Sequence, residues 1–457
     1  MRKLVMMCGP FSSRSGYGNH ARDVYRCLYK LADKYDVRCL DVRWGDCPRN
    51  ALDEDTTFNN SLKSSFIKQT EKGLELERQP DIYIDVRIPN EFQQIGKVNV
   101  GVTAGVETNA VSSAWIEGCN KMDLVITVSE HSKAGFTSAK YEKYQKLPNG
   151  QQQKIGELSL QKPIEVLFEG LELDTFYPKK SSDLSTPIAK TLDSIEESFC
   201  YLMVGQWCQG GFGEDRKDIP RAIKTFYETF AGRPSPPALV IKTSGATFSI
   251  MDKENCKSKL KQIKDAFPSD IKLPNVYFIH GNLSTEEMNE LYNHHKIKSF
   301  YLTTHGEGFG RPLLEASFTG LPIITSNWSG HLDFLDTEHS VLVSGELKQV
   351  PRSVVWKDII IEESKWFVAD EGSVGSALNY VYTNYNEVKQ NALKLMKINR
   401  DKFNTEKMIE KFDGMLDEFS KDIPSQVKLN LPKLKKVNKT EPPKVKLPKL
   451  KKTGATV

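Results

Sequence analysis

The stretch "FYLTTHGEGFGRPLLEASFTGLPIIT", Phe300 to Thr325, joins two short apolar runs through a glycine-rich turn and a helix-like segment. "FYLTT" and "LPIIT" read as buried strands, and "RPLLEASF" reads as a helix with Pro312 in its first turn. Strand, turn, helix and strand make one β/α unit of a parallel sheet, and that reading sets the fold class for the rest of the chain. The turn at Gly306, Gly308 and Gly310 leaves the backbone N–H groups of Gly308, Phe309 and Gly310 at a helix N-terminus, where the positive end of the dipole favours an anion. Glycines there let a ligand approach the backbone closely. Glu307 belongs at the tip of the strand, facing a cleft. Glu315 lies about one turn into the helix, placed to accept hydrogen bonds from hydroxyls of the same ligand. Anion donors with two carboxylates suit a ligand that carries both phosphate and polyol, such as a nucleotide sugar. A glycine-rich turn with a helix-start acid and an exposed helix glutamate is the alternative.

The same alternation extends outward in both directions. Upstream come "FCYLMVGQW", the helix "IPRAIKTFYETF", the strands "ALVIKTS" and "VYFIHG", and a helix whose start, "STEE" at Ser284–Glu287, is a capping box. A second series opens the chain: strand "LVMMC", loop "GPFSSRSGYG", helix "NHARDVYRCLYKLADKY", then the strand-like "VRCLDVRW", "DIYIDVR", "VNVGVTAG" and "LVITVS". The polar stretch from about Asp46 to Glu75 takes no assignment. "PKKSSDLSTPIAK", near Pro178, reads as an interdomain linker. The expected fold is therefore α/β, two Rossmann-like β/α/β domains facing a cleft, one over residues 1–180 and one over 196–385. Helices over 386–420 pack back toward the first domain. Ligands in such sheets bind beyond the C-terminal ends of the strands.

Composition narrows the class. With 457 residues, 39% hydrophobic and 27% charged, the chain suits two globular domains rather than a disordered or fibrous protein. No run approaches the ~18 apolar residues of a spanning helix, and the basic, apolar start "MRKLVMMC" reads as a first strand rather than a signal peptide. The eight cysteines have no C-x-x-C spacing, which points to a reducing, cytoplasmic setting. Net charge is +4, yet residues 425–457 hold ten lysines and one glutamate, so the body is mildly acidic. That segment repeats "LPKLKK" at Leu431–Lys436 and Leu447–Lys452. Its prolines forbid a regular helix, and 424–457 is expected to be a disordered basic low-complexity tail that contacts a polyanion.

The spacing of Glu307 and Glu315 within "GEGFGRPLLEA", followed by "GLPIITSNWSG", closely resembles retaining glycosyltransferases of the GT-B fold, family 4. Their motif reads E-G-F-G-x-P-x-x-E-A, and the resemblance covers most of residues 1–420. It implies an N-terminal acceptor domain and a C-terminal nucleotide-sugar donor domain. It further implies that Glu307 hydrogen-bonds the transferred sugar, that Glu315 binds the ribose, and that amides around Phe309–Gly310 hold sugar or phosphate. In "EDRKDIPRAIKTF", Arg216 and Lys217 match a basic pair that would meet the charge growing on the leaving diphosphate. Gly16 and Gly18 match a loop that faces the diphosphate or the acceptor, with His20 and Glu107 on the acceptor side. The implied activity is transfer of a hexosyl or pentosyl group with retention, by front-face displacement. The donor is a co-substrate, and no cofactor or metal is expected to be required.

The chain departs from the family at two points. Gly205-Gln206 replaces the Gly-Arg common after the first donor-domain strand, and Phe168-Glu169-Gly170 replaces Pro-Asn-Gly. A competing pattern, Gly16-Tyr17-Gly18-Asn19-His20-Ala21 with Asp41 beyond it, fits a dinucleotide fingerprint, but the first strand ends near Cys8, too early for that turn. Asp53-Glu54-Asp55 reads as a solvated loop rather than a metal motif. The acceptor stays open between glycan, lipid, protein and DNA. The chain also resembles phage-encoded members of the family, some of which modify hydroxymethylated DNA bases, which would place it in a host cytoplasm. A non-catalytic sugar-nucleotide-binding protein is the reading from a different class.

Overall fold

The computed structural model describes residues 2–71, 73–146, 151–208, 210–245 and 247–423. The lysine-rich repeat and all of 424–457 lie outside the described residues.

The N-terminal sheet has six strands: β1 (Lys3–Gly9), β2 (Tyr35–Asp41), β3 (Ile82–Val86), β4 (Val98–Val102), β5 (Leu124–Thr127) and β6 (Ile164–Val166). Its order is β6-β5-β4-β3-β1-β2, every neighbour parallel. The C-terminal sheet has β7 (Cys200–Gln206), β8 (Ala238–Ser244), β9 (Val276–Ile279), β10 (Ile297–Leu302), β11 (Ile323–Ser326) and β12 (Val341–Val343). Its order is β9-β8-β7-β10-β11-β12, again parallel throughout. Central strands such as β3, with all five residues buried, are covered on both faces, so they read as apolar runs rather than alternating patterns.

Each sheet reverses its winding once, between β1 and β3 in the first and between β7 and β10 in the second. At such a switch point the connecting loops diverge and leave a crevice beyond the strand tips. Six helices matter to the site: α1 (Gly16–Lys30), α2 (Ile219–Phe230), α3 (Thr285–Asn293), α4 (Arg311–Phe318), α5 (Tyr385–Lys402) and α6 (Thr405–Ser420). The Ser284–Glu287 capping box forms at the start of α3, with both reciprocal bonds made.

Helices α5 and α6 belong to different cores. Val388 and Leu395 of α5 pack into the C-terminal core, while Met408, Phe412 and Leu416 of α6 complete the N-terminal core beside Val24 and Leu28 of α1. Lys34 clasps Asp413 at 2.5 Å and Asp417 at 3.1 Å, and Lys3 donates to the Ser420 hydroxyl at 2.6 Å. The segment read as an interdomain linker is fastened to α3. The Glu290 carboxylate accepts from the amides of Ser185 and Thr186, the Thr186 hydroxyl and Lys179, which outweighs its burial and holds it down at about 2. Two antiparallel pairs, Lys140–Lys146 with Gln152–Ser159 and Gly345–Gln349 with Lys365–Ala369, stand outside the two large sheets; three of their four strands are mostly polar, and the fourth is the apolar run Trp366–Ala369.

Candidate active site

The loop from β7 to α2 and the turn from β10 to α4 leave their sheet at its switch point, and they bring Lys217 and Glu307 together. Asp215 shapes the first loop. Its carboxylate accepts from the amides of Cys208, Lys217 and Ile219 at 3.1, 3.3 and 3.2 Å. Burial still pushes Asp215 up to about 6, against the pull of those amides and of Lys217. So clamped, Lys217 places its Nζ 2.7 Å from both oxygens of Glu307. The second turn is fixed by Ser329, whose hydroxyl accepts from the Glu307 amide at 2.9 Å, and by Gly330, which donates to the Glu307 carbonyl at 2.9 Å. Burial opposes ionisation of Glu307, but Lys217, His331 and Arg216 together hold its carboxyl below the usual range. Lys217 and Glu307 face a cavity of about 120 Å³ that is also lined by Gln206, Thr304 and Gly310.

Helix α4 begins as expected, at Arg311 with Pro312 in its first turn, and Gly310 caps it with φ 93°, a left-handed conformation that favours glycine. Among the described residues no protein group accepts from the amides of Gly308, Phe309 or Gly310. Gly308 has a further duty. A Cβ there would lie 2.1 Å from the Ala104 carbonyl, and its own carbonyl accepts from the Ser129 hydroxyl at 2.6 Å, so the turn is pressed against the N-terminal domain. The Phe309 side chain points away from the cleft, into the core beside Phe334 with ring centroids 5.1 Å apart; only its amide can serve a ligand.

Arg216 pairs with Glu107 across the cleft, so the acid expected on the acceptor side and the cation expected on the donor diphosphate meet each other. Glu315 accepts from the Tyr292 hydroxyl at 3.0 Å and pairs with Arg311 at 3.3 Å. Arg311 also reaches Asp23 of α1 and lies 3.6 Å from Glu169, the residue of the departed Pro-Asn-Gly motif. Burial raises Glu315 and pushes Glu169 up to about 7, with Arg311 opposing in both cases. His20 is a correction to the sequence reading. It is fully buried on α1, 3.8 Å from Glu169, with neither ring nitrogen hydrogen-bonded, and burial lowers it to about 4. It belongs to the domain junction rather than to an accessible acceptor surface. Gly18 starts α1 tightly, since a Cβ would meet the Ser13 carbonyl at 2.1 Å, whereas Gly16 borders open space.

Sequence reasoning missed His305 and its setting. Its ring is buried against Trp366, with centroids 4.2 Å apart, between the carbonyls of Phe367 and Gly213, and Asp218 lies 3.7 Å away. The signal was in the unread hairpin that supplies Trp366 and Phe367. Asp53-Glu54-Asp55 lies just ahead of the helix Thr57–Ser64, where Asp55 accepts from Asn60. The one grouping among the described residues with metal-ligating distances is Asp193, His294 and His295. There the Lys296 amide donates to His294 Nδ1, which leaves Nε2 to carry hydrogen toward Asp193.

Comparison with known proteins bears on this arrangement at two levels. Residues 248–351, which include Glu307 and Glu315, match the family glycosyl transferases group 1. No curated protein matches the chain by sequence. Among solved structures, Anabaena Alr3699/HepE in complex with UDP and glucose is similar with a TM-score of 0.58 at 12% identity, over 91% of this chain and 100% of that one. Sucrose-phosphate synthase from Thermosynechococcus elongatus gives 0.59 at 12% identity, over 91% and 99%. A UDP-forming α,α-trehalose-phosphate synthase from Burkholderia xenovorans gives 0.56 at 10%, over 93% and 99%. No helix among the described residues is long and apolar enough to cross a membrane. Two parallel Rossmann-like sheets, with the last helix returning to the first, make this a GT-B fold that carries a glycosyl transferases group 1 segment on its second domain.

Proposed function

We propose that the chain is a retaining glycosyltransferase of family 4 type, which moves a sugar from a nucleotide-sugar donor to an acceptor hydroxyl. The observation that carries the reading is the Lys217–Glu307 pair, held at 2.7 Å at the switch-point crevice beside the start of α4. A donor diphosphate would take its charge stabilisation from Lys217, Arg216 and the amides of Gly308 to Gly310, preorganised groups that need little rearrangement as the bond breaks. Arg216 would exchange Glu107 for phosphate, freeing Glu107 at the acceptor side. Glu307, kept ionised, would accept hydrogen bonds from the sugar hydroxyls and orient the ring, and Glu315 would do the same for the ribose. Front-face displacement suits this arrangement. The acceptor oxygen bonds to the anomeric carbon as the bond to the diphosphate breaks, and the acceptor proton passes to the departing phosphate oxygen. The charge on the leaving group is assigned to these side chains and amides rather than to a metal ion. Eight unpaired cysteines accord with a cytoplasmic setting.

A panel of UDP-, GDP- and ADP-sugars tests the reading, scored by thermal stabilisation and by release of nucleoside diphosphate. At least one donor should stabilise the protein and be turned over, and Glu307→Gln should abolish turnover while the fold persists by circular dichroism. Undiminished turnover by that variant would sink the assignment.

A further inference from the structure

His305 stands two residues ahead of Glu307, just past the tip of β10, and no step of the transfer proposed above uses it. Its side chain is 1% exposed. Nδ1 lies 2.6 Å from the Phe367 carbonyl, and Nε2 lies 3.1 Å from the Gly213 carbonyl. A carbonyl oxygen only accepts, so each bond needs a hydrogen on the nitrogen that makes it. A neutral imidazole has one such hydrogen and an imidazolium has two. Satisfying both carbonyls therefore calls for the cation, and the surroundings accommodate it. Trp366 lies face to face with the ring, 4.2 Å between centroids and 10° from parallel. The Asp218 carboxylate, equally buried, is 3.7 Å from Nε2. Burial raises the Asp218 carboxyl, His305 and Arg221 oppose that rise, and Glu371 adds to it. Arg221 lies 2.9 Å from Asp218 and 3.6 Å from Glu371.

The backbone of His305 is tied to the same two segments. Its amide donates to the Arg216 carbonyl at 3.3 Å, and its carbonyl accepts from the Phe367 amide at 3.0 Å. Four bonds from one residue thus join the Glu307 turn to the loop between β7 and α2 and to the strand Lys365–Ala369. On the loop side they land on Gly213 and Arg216, and Lys217 is the next residue. Gly213 has φ 76°, and a Cβ there would lie 2.4 Å from the Arg221 guanidinium, so the loop turns back against α2 where the ring meets it. On the strand side, the Lys365 amide donates to the Asn109 side chain at 2.7 Å, and the Lys365 carbonyl accepts from the Asn109 amide at 2.9 Å. The N-terminal domain therefore holds this strand, two residues from Glu107.

Resting on the function proposed above, we infer that His305 is a positioning residue for the transfer: as an imidazolium it locks the Lys217 loop to the Glu307 turn, braced by a strand that the N-terminal domain holds. Its ring is buried and engaged at both nitrogens, so it has nothing left to offer a substrate and acts through Lys217. A neutral ring would leave one of the two carbonyls without its donor and would leave Asp218 with Arg221 alone. The loop would then lose the bond at Gly213 or the brace at Phe367. Lys217 would no longer be aimed at both oxygens of Glu307, where it now stands at 2.7 Å.

The first test is made on the wild-type full chain and depends on no variant folding. In nitrogen-15 magnetic resonance of histidine-labelled protein, the ring in contact with Trp366 should carry hydrogen on both nitrogens at neutral pH. The second uses His305→Gln, which keeps one N–H donor and cannot become a cation. Amide hydrogen exchange over Asp215–Ile219 should quicken about tenfold or more in that variant, while exchange in β1 and β3 stays as in the wild type. With a donor that the wild type turns over, kcat should fall by about 10–100-fold and the donor KM should change less than about threefold. Adding Lys217→Met should cost no more than Lys217→Met alone, because both act through one contact. A ring nitrogen without hydrogen, unchanged exchange in the loop, wild-type kcat, or fully additive losses in the double variant would each overturn the inference. Absence of turnover by the wild type, with the doubly protonated ring and the loosened loop both observed, would overturn the functional reading and leave the lock standing.

Discussion

Two charged clusters at the start of α4 bury charge in opposite ways. In the first, Glu307 has a lysine on both oxygens, and the carboxyl is held below the ordinary range. One turn further on, Arg311 is shared among Asp23, Glu169 and Glu315, and two of those carboxyls are pushed upward by burial. In the first cluster Glu307 keeps its charge at neutral pH. The second sits between the domains and has more acid than base facing one guanidinium, so its balance changes with pH. Arg26, 3.6 Å from Asp23, relieves part of that excess from the N-terminal side.

The largest effect should come from breaking the matched pair. Lys217→Met leaves Glu307 buried without its main cation, and transfer should fall by about 10²–10³-fold in kcat. The same change should raise the Glu307 carboxyl. In the wild type the pair's contribution to stability is present above the ordinary carboxylate range and lost as pH falls through the depressed value. The variant should lack that acid-side loss in denaturation profiles. A variant with wild-type kcat would show that the match serves folding alone.

Next is Gly308→Ala, which attacks the seam between the clusters. A Cβ would stand 2.1 Å from the Ala104 carbonyl, so the domains must part or the turn must shift. Activity should drop by about 10²-fold through misplacement, and small-angle scattering should report a wider particle. An unchanged scattering profile with full activity would show that the close approach of Gly308 to Ala104 is dispensable.

The unmatched cluster predicts a pH effect of opposite sign. Glu169 at about 7 holds a proton that the unfolded chain has already released, so stability is greatest below its ordinary value and declines as pH rises through about 7. Wild type should lose on the order of 1–3 kcal/mol between pH 5 and pH 8, and Glu169→Gln should flatten that decline in chemical denaturation. A steeper decline in the variant would reverse the interpretation. Tyr292→Phe should give the smallest change, about 1 kcal/mol, by removing the hydroxyl that donates to Glu315 at 3.0 Å. Calorimetry at neutral pH would detect it.

The sequence disclosed the first cluster far better than the second. Glu307, the glycines and the helix start are contiguous, so their geometry follows from local rules about strand tips and helix N-termini. α4 and α2 occupy the residues that their apolar patterns marked, Arg311–Phe318 and Ile219–Phe230. Lys217 was legible as a basic residue ahead of a helix, but its aim at Glu307 depends on Asp215, whose carboxylate gathers the amides of its own loop in a way that no apolar pattern marks. The junction draws on α1, the segment after β6, and α4, which are separated by more than a hundred residues of chain. No local pattern marks His20 as buried or Glu169 as its neighbour. The polar hairpins escaped for a different reason. Three of their four strands have little apolar periodicity to detect, and the fourth, Lys365–Ala369, is a short apolar run without turn signals beside it.

The return of α6 to the N-terminal core has a consequence for how the chain comes to be folded. Met408, Phe412 and Leu416 seal a hydrophobic layer begun by residues near Val5 and Val24. During synthesis the first domain to emerge therefore cannot finish its core until the chain has grown through Ser420. The second domain, whose core closes with α5, has all its parts earlier. A chain truncated just before Thr405 should hold a completed second domain and an unfinished first one, the reverse of their order along the chain.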